Sequence, residues 1–77
     1  MGELDRIRWN CRRGMLELDL VLEHFTERYL PTLSAAEREI LKALLEYSDN
    51  HLWDIVCGRL EADVPNSAGL VRRLREC

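Results

Sequence analysis

Gly14-Met15-Leu16-Glu17-Leu18-Asp19-Leu20-Val21-Leu22-Glu23-His24-Phe25-Thr26-Glu27-Arg28-Tyr29 is the stretch from which the fold can be read. Met15, Leu18, Leu22, Phe25 and Tyr29 recur at three- and four-residue spacing, Val21 widens the stripe, and Leu16 and Leu20 flank it. Apolar residues at that spacing share one side of an α-helix, so the stretch predicts a central helix over 14–29 with one face buried. Glu17, Asp19, Glu23 and Glu27 make its other face acidic. Pro31 stops it, because the proline ring disfavours helical geometry at Leu30.

Toward the N-terminus, Leu4, Ile7 and Cys11 predict a short helix over 3–12, with Glu3 and Asp5 suited to its start and Arg12 to its end. Trp9 falls off that stripe, which leaves it either covering a neighbouring helix or partly exposed. Toward the C-terminus, Ser34-Ala35-Ala36-Glu37 is a capping box, so a third helix should run from Ser34 to about Tyr47 and bury Ile40, Leu41, Leu44 and Leu45. Ser48 or Asp49 can cap a fourth helix that carries Leu52, Trp53 and Val56 and ends at Gly58; Trp53 is expected in the core. Residues 59–65 read as a loop. Asn66 or Ser67 then caps a last helix with Leu70, Val71 and Leu74 facing inward. No strand pattern or internal repeat interrupts the series. The expectation is an all-α protein, a small bundle of five short helices forming one domain over 1–77.

A chain of 77 residues buries only about 60% of its unfolded surface, which leaves little room for an internal active site. No apolar run approaches the ~20 residues that a membrane span needs, and Glu3 and Asp5 among the early arginines fit neither a signal peptide nor a mitochondrial presequence. A cytoplasmic protein without membrane insertion is expected. Cys11, Cys57 and Cys77 are widely spaced and form no CxxC pair, so no disulfide framework or metal site is implied. Cys11 and Cys57 are expected as small buried groups and Cys77 as exposed. His24 and His51 lack partners at ligand spacing, and no glycine-rich phosphate loop or nucleophile-base set can be assembled. The chain reads as a binding module, not an enzyme.

What stands out is the join ahead of the central helix, Arg12-Arg13-Gly14-Met15-Leu16-Glu17. Glycine can end one helix, turn the chain and let another surface come close. A helix starting at or just before Gly14 would put Arg13 and Glu17 four residues apart on one face, in the order that intrahelical ion pairing favours less. The plainer alternative makes Gly14 a C-cap, Arg13 a solvated charge and Glu17 a carboxylate at the positive end of a helix dipole. Net charge is −3, yet Arg6, Arg8, Arg12 and Arg13 crowd the first segment and Arg72, Arg73 and Arg75 the last, with Lys42 the sole lysine. Arginine's planar fork suits carboxylates and phosphates, although individual arginines more often serve as solvated helix faces.

Arg13-Gly14-x-x-Glu17 resembles the RGxxE signature of the succinate dehydrogenase flavinylation factors, the SdhE/YgfY-like FAD assembly proteins. Leu4 to Trp9, Cys11 to Asp19 and Phe25 to Leu30 are similar to that family's N-terminal block. Leu44-Leu45-Glu46, Asp49 and Leu52-Trp53 are similar to its second block, so the resemblance spans roughly residues 4 to 58. It implies an assembly factor, monomeric when free, that binds the flavoprotein subunit of succinate dehydrogenase, and that of fumarate reductase as well, and promotes covalent attachment of FAD to a histidine there. The flavin would be carried by the partner, with no cofactor held stably by this chain. The partner-binding residues so implied are Arg13, Gly14 and Glu17, with Arg12, Arg8 and Asp19 beside them. The alternatives are a nucleic-acid-binding or antitoxin-like regulator, opposed by the pI near 5.3 and the acidic second helix, and a helical adaptor for an unrelated partner.

Overall fold

Leu18, Leu22 and Phe25 have no solvent exposure at all, and they lie on the longest helix among the described residues. The computed structural model describes residues 2–77. Among them the chain forms α1 (Glu3–Asn10), α2 (Leu16–Tyr29), a 3-10 turn (Leu30–Thr32), α3 (Ala35–Leu44), α4 (Asp49–Val56) and α5 (Ala68–Glu76), with no strand. One core joins Ile7 of α1, the α2 stripe, Leu41 and Leu44 of α3, Leu52 and Ile55 of α4 and Leu70, Val71 and Leu74 of α5. Burying each such side chain stabilises the fold by about 1.5–3 kcal/mol relative to leaving it in water. The five-helix, all-α expectation is met.

Local signals set most of the boundaries. The Ser34 hydroxyl accepts from the Glu37 N–H at 3.1 Å and the Glu37 carboxylate accepts from the Ser34 N–H at 3.0 Å, so the capping box of α3 is complete. The Ser48 hydroxyl caps α4 by accepting from the His51 N–H at 3.3 Å. Gly58 (φ +85°) turns the chain after α4 as expected. Tyr29 ends α2, and Pro31 sits in the 3-10 turn that follows.

Several details differ from the sequence-based expectation. Helix α2 begins at Leu16 instead of 14, because Gly14 has φ +83° and Met15 is extended, conformations that no helix can include. Helix α1 stops at Asn10, so Arg12 lies beyond its end, and α3 gives way to turns after Leu44. Ser67 stands at the N-cap of α5, but its hydroxyl donates to the Val64 carbonyl at 2.6 Å and caps nothing. Cys57 is exposed, since Leu52, Ile55 and Val56 already supply the inward side of α4. Cys77 is half-buried against the core and Trp53 is partly buried there.

Candidate functional site: the shoulder between α1 and α2

The link from α1 to α2 runs from Cys11 to Met15 and is pinned from two sides. Asp19, in the first turn of α2, folds its carboxylate back over the link: one oxygen accepts from the Arg13 N–H at 2.9 Å and the other from the Gly14 N–H at 3.1 Å. Two backbone donors that no helix satisfies are thereby paired with one anion, near the helix end where negative charge is favoured. From the other side, the Arg13 side chain crosses to the α3–α4 turn. Its Nη1 donates to the Tyr47 carbonyl at 2.8 Å and to Asp49 Oδ1 at 3.2 Å, and its Nη2 donates to the Leu45 carbonyl. Those carbonyls follow the last turn of α3, where helical partners run out, and a guanidinium fork can serve several acceptors at once. The Arg13 side chain is 12% exposed.

Arg13 and Glu17 therefore do not share a helix face. The positive φ of Gly14 breaks the register between them, sending Arg13 into the molecule while Glu17 is exposed. Among the described residues Glu17 makes no ion pair. Gly14 is also exposed, and a Cβ added to it would meet nothing within 4 Å, so the backbone angle, not crowding, is what requires glycine.

Large apolar side chains on the two helices that the link joins are exposed. Trp9 and Leu16 are each 70% exposed and Leu20 is 46% exposed. Arg8 and Arg12 are exposed as well and form no ion pair among the described residues. A groove of about 480 Å³ separates Arg8 and Arg12 from Asp19, Glu23 and Glu27, with Cys11 and Thr26 also lining it. Burial pushes the Cys11 thiol up to about 11, with the charge of Asp19 adding to the effect and that of Arg13 opposing it, so the thiol stays protonated at neutral pH and is a poor nucleophile.

Of the residues singled out in the sequence, Arg8, Arg12, Gly14 and Glu17 lie at the surface of this shoulder, whereas Arg13 and Asp19 are engaged in holding it. Leu16 and Leu20, which flank the buried stripe, are exposed, as is Trp9, which falls off the stripe of α1. Asp49, expected as a possible cap and as part of the second block of the family resemblance, bonds to Arg13 across 36 residues, beyond any local pattern. Among the described residues no three His, Cys, Asp or Glu side chains are grouped to hold a metal ion, and no helix is long and apolar enough to cross a membrane.

The family described as flavinator of succinate dehydrogenase matches residues 5–77. The FAD assembly factor SdhE of Coxiella burnetii is 38% identical over 71 residues, covering 92% of this chain and 87% of that protein. The proteins of the same name from Pseudomonas putida and Haemophilus ducreyi are 40% and 38% identical, covering 91% and 97% of this chain and 83% and 94% of theirs. These relatives are named as assembly factors, not as catalysts, in keeping with the expectation of a binding module. No solved structure gives a significant match.

Proposed function

The chain belongs to the family of flavinators of succinate dehydrogenase, and from that membership we propose that it binds the flavoprotein subunit of succinate dehydrogenase and promotes covalent attachment of FAD to it. The observation that supports a docking role is the exposure of Trp9 on α1 and of Leu16 and Leu20 on α2, the two helices that the Gly14 turn joins, with Glu17, Arg8 and Arg12 also exposed there and forming no ion pair among the described residues. Large exposed apolar groups rimmed by charge are characteristic of surfaces that another protein covers. In this reading Glu17 accepts hydrogen bonds from the client, Arg8 and Arg12 pair with its carboxylates, and Gly14 offers bare backbone for close approach. The bond-forming chemistry stays with the flavin and the client; the helper carries no flavin and holds the client in a competent arrangement. It works in the cytoplasm as a monomer and serves the fumarate reductase flavoprotein in the same way.

The mixed signs of the groove support a protein client over a nucleic acid, since Asp19, Glu23 and Glu27 face Arg8 and Arg12 where a phosphate chain would have to lie. The test is made in cells lacking this protein. Denatured succinate dehydrogenase from them should lose the in-gel fluorescence of covalently bound flavin, and the fluorescence should return with the wild-type chain. Unchanged fluorescence in the deletion strain contradicts the assignment.

A further inference from the structure

We propose that Arg13 and Asp19 are positioning residues, which hold the Gly14 turn in the shape that the client meets and do not themselves touch the client. The inference rests on the assembly-factor reading and divides the RGxxE stretch into a part that faces outward and a part that works from behind. Arg13 has its charge committed: its two terminal nitrogens reach two carbonyls and a carboxylate of the α3–α4 turn. A client carboxylate could take that guanidinium only by orphaning the Leu45 and Tyr47 carbonyls. Asp19 is committed in the same sense, with one oxygen on each of two consecutive N–H groups.

What these bonds hold is the most mobile kind of backbone. Gly14 sits at φ +83° with open space around it, and glycine leaves such a conformation as readily as it enters it. Asp19 fixes the turn to α2 through the N–H groups, and Arg13 fixes it to the α3–α4 turn through the side chain one residue earlier. Together they preorganise the exposed backbone, which lowers the ordering cost when the client docks. Glu17, two residues before Asp19 on α2, is then presented at a fixed distance from the turn.

The primary variant is Asp19→Asn, which keeps the side chain's volume but leaves only one acceptor oxygen for the two N–H groups. In the free protein the Gly14 amide resonance should move while cooperative melting persists. In a flavinylation assay with purified client flavoprotein and FAD, the helper concentration giving half the maximal rate should rise about tenfold, equivalent to about 1.4 kcal/mol, with the rate at saturating helper unchanged. A purely structural role would leave both rate and half-saturation at wild-type values while the protein is folded. A raised half-saturation with an unmoved Gly14 amide in the free protein would show that Asp19 does not act by holding the turn. Either result overturns the proposal. Arg13→Lys is the second variant: it keeps the charge but replaces the fork with a single ammonium, and it should also move the Gly14 amide and raise the half-saturation. Wild-type behaviour of Arg13→Lys refutes the role of Arg13. Glu17→Ala in the same assay separates the two readings. If the wild-type helper does not promote flavinylation, the assembly-factor reading fails; if Glu17→Ala loses function while Asp19→Asn and Arg13→Lys do not, only the positioning inference fails.

Discussion

The two arginine clusters look alike in the sequence and are used in opposite ways. At the C-terminal end every guanidinium has a partner within the chain. Arg72 lies 3.7 Å from Glu76, Arg73 lies 3.2 Å from Glu37 and over the Tyr29 ring, and Arg75 donates to the Ile55 and Leu60 carbonyls. In the N-terminal cluster only Arg13 is spent in this way, while Arg6, Arg8 and Arg12 form no ion pair among the described residues. The difference lies in what is within reach. Arg73 and Arg75 lie along α5 against neighbours that offer free acceptors, and Arg13 meets the carbonyls past α3. Arg8 and Arg12 flank an exposed tryptophan instead. A cluster of cations is thus evidence for recognition only after the acceptors inside the fold have been counted.

The comparison can be broken by mutation. Leu22→Ala removes a fully buried side chain from the core and should cost about 2–5 kcal/mol in denaturant melts, with any loss of function following the loss of fold. Arg13→Ala should come next, at about 1–3 kcal/mol, because it leaves the partly buried Leu45 and Tyr47 carbonyls without their donor. If Arg8→Ala proves as costly as Arg13→Ala, the N-terminal cluster is not divided as described. Gly14→Ala should cost about 1–2 kcal/mol through its left-handed backbone, since its new methyl group meets no neighbour; a larger loss would mean that the turn is crowded. Arg8→Ala, Arg12→Ala and Arg72→Ala should each change stability by no more than about 0.5 kcal/mol, as surface substitutions do.

The smallest effect expected is one of pH. The Glu37 carboxyl is held below its usual value, first by the Ser34 backbone N–H and also by Arg73. A carboxyl whose folded-state value is depressed adds stability above its unfolded value and loses it as pH falls through the folded one. Melting followed from neutral pH into the acid range should therefore show a shallower decline for Glu37→Gln, and an identical decline would remove Glu37 from the account.

What could be read from the sequence was local. The Ser34–Glu37 box, the Ser48 cap, the α2 stripe and the stop at Pro31 are each decided within a few residues, by hydrogen-bond geometry or helical spacing, and the structure has all four. The start of α2 was placed two residues early because Gly14 is as compatible with a helix start as with a left-handed turn, and the Asp19 bonds that favour the turn come from six and five residues away. The seat of Arg13 was beyond local reasoning, since its acceptors lie 32 to 36 residues on. Cys57 was misplaced for a related reason: a small apolar residue after a helix carries no sign of which way the chain turns.

The most direct test of the account takes Glu17→Ala through two measurements on one sample, melting and covalent flavinylation of the client. Glu17 is exposed and unpaired among the described residues, so the account expects stability within about 0.5 kcal/mol of wild type together with a loss of flavinylation. A variant that melts as the wild type does and still flavinylates fully would show that the shoulder between α1 and α2 is scaffold and not the surface that the client reads.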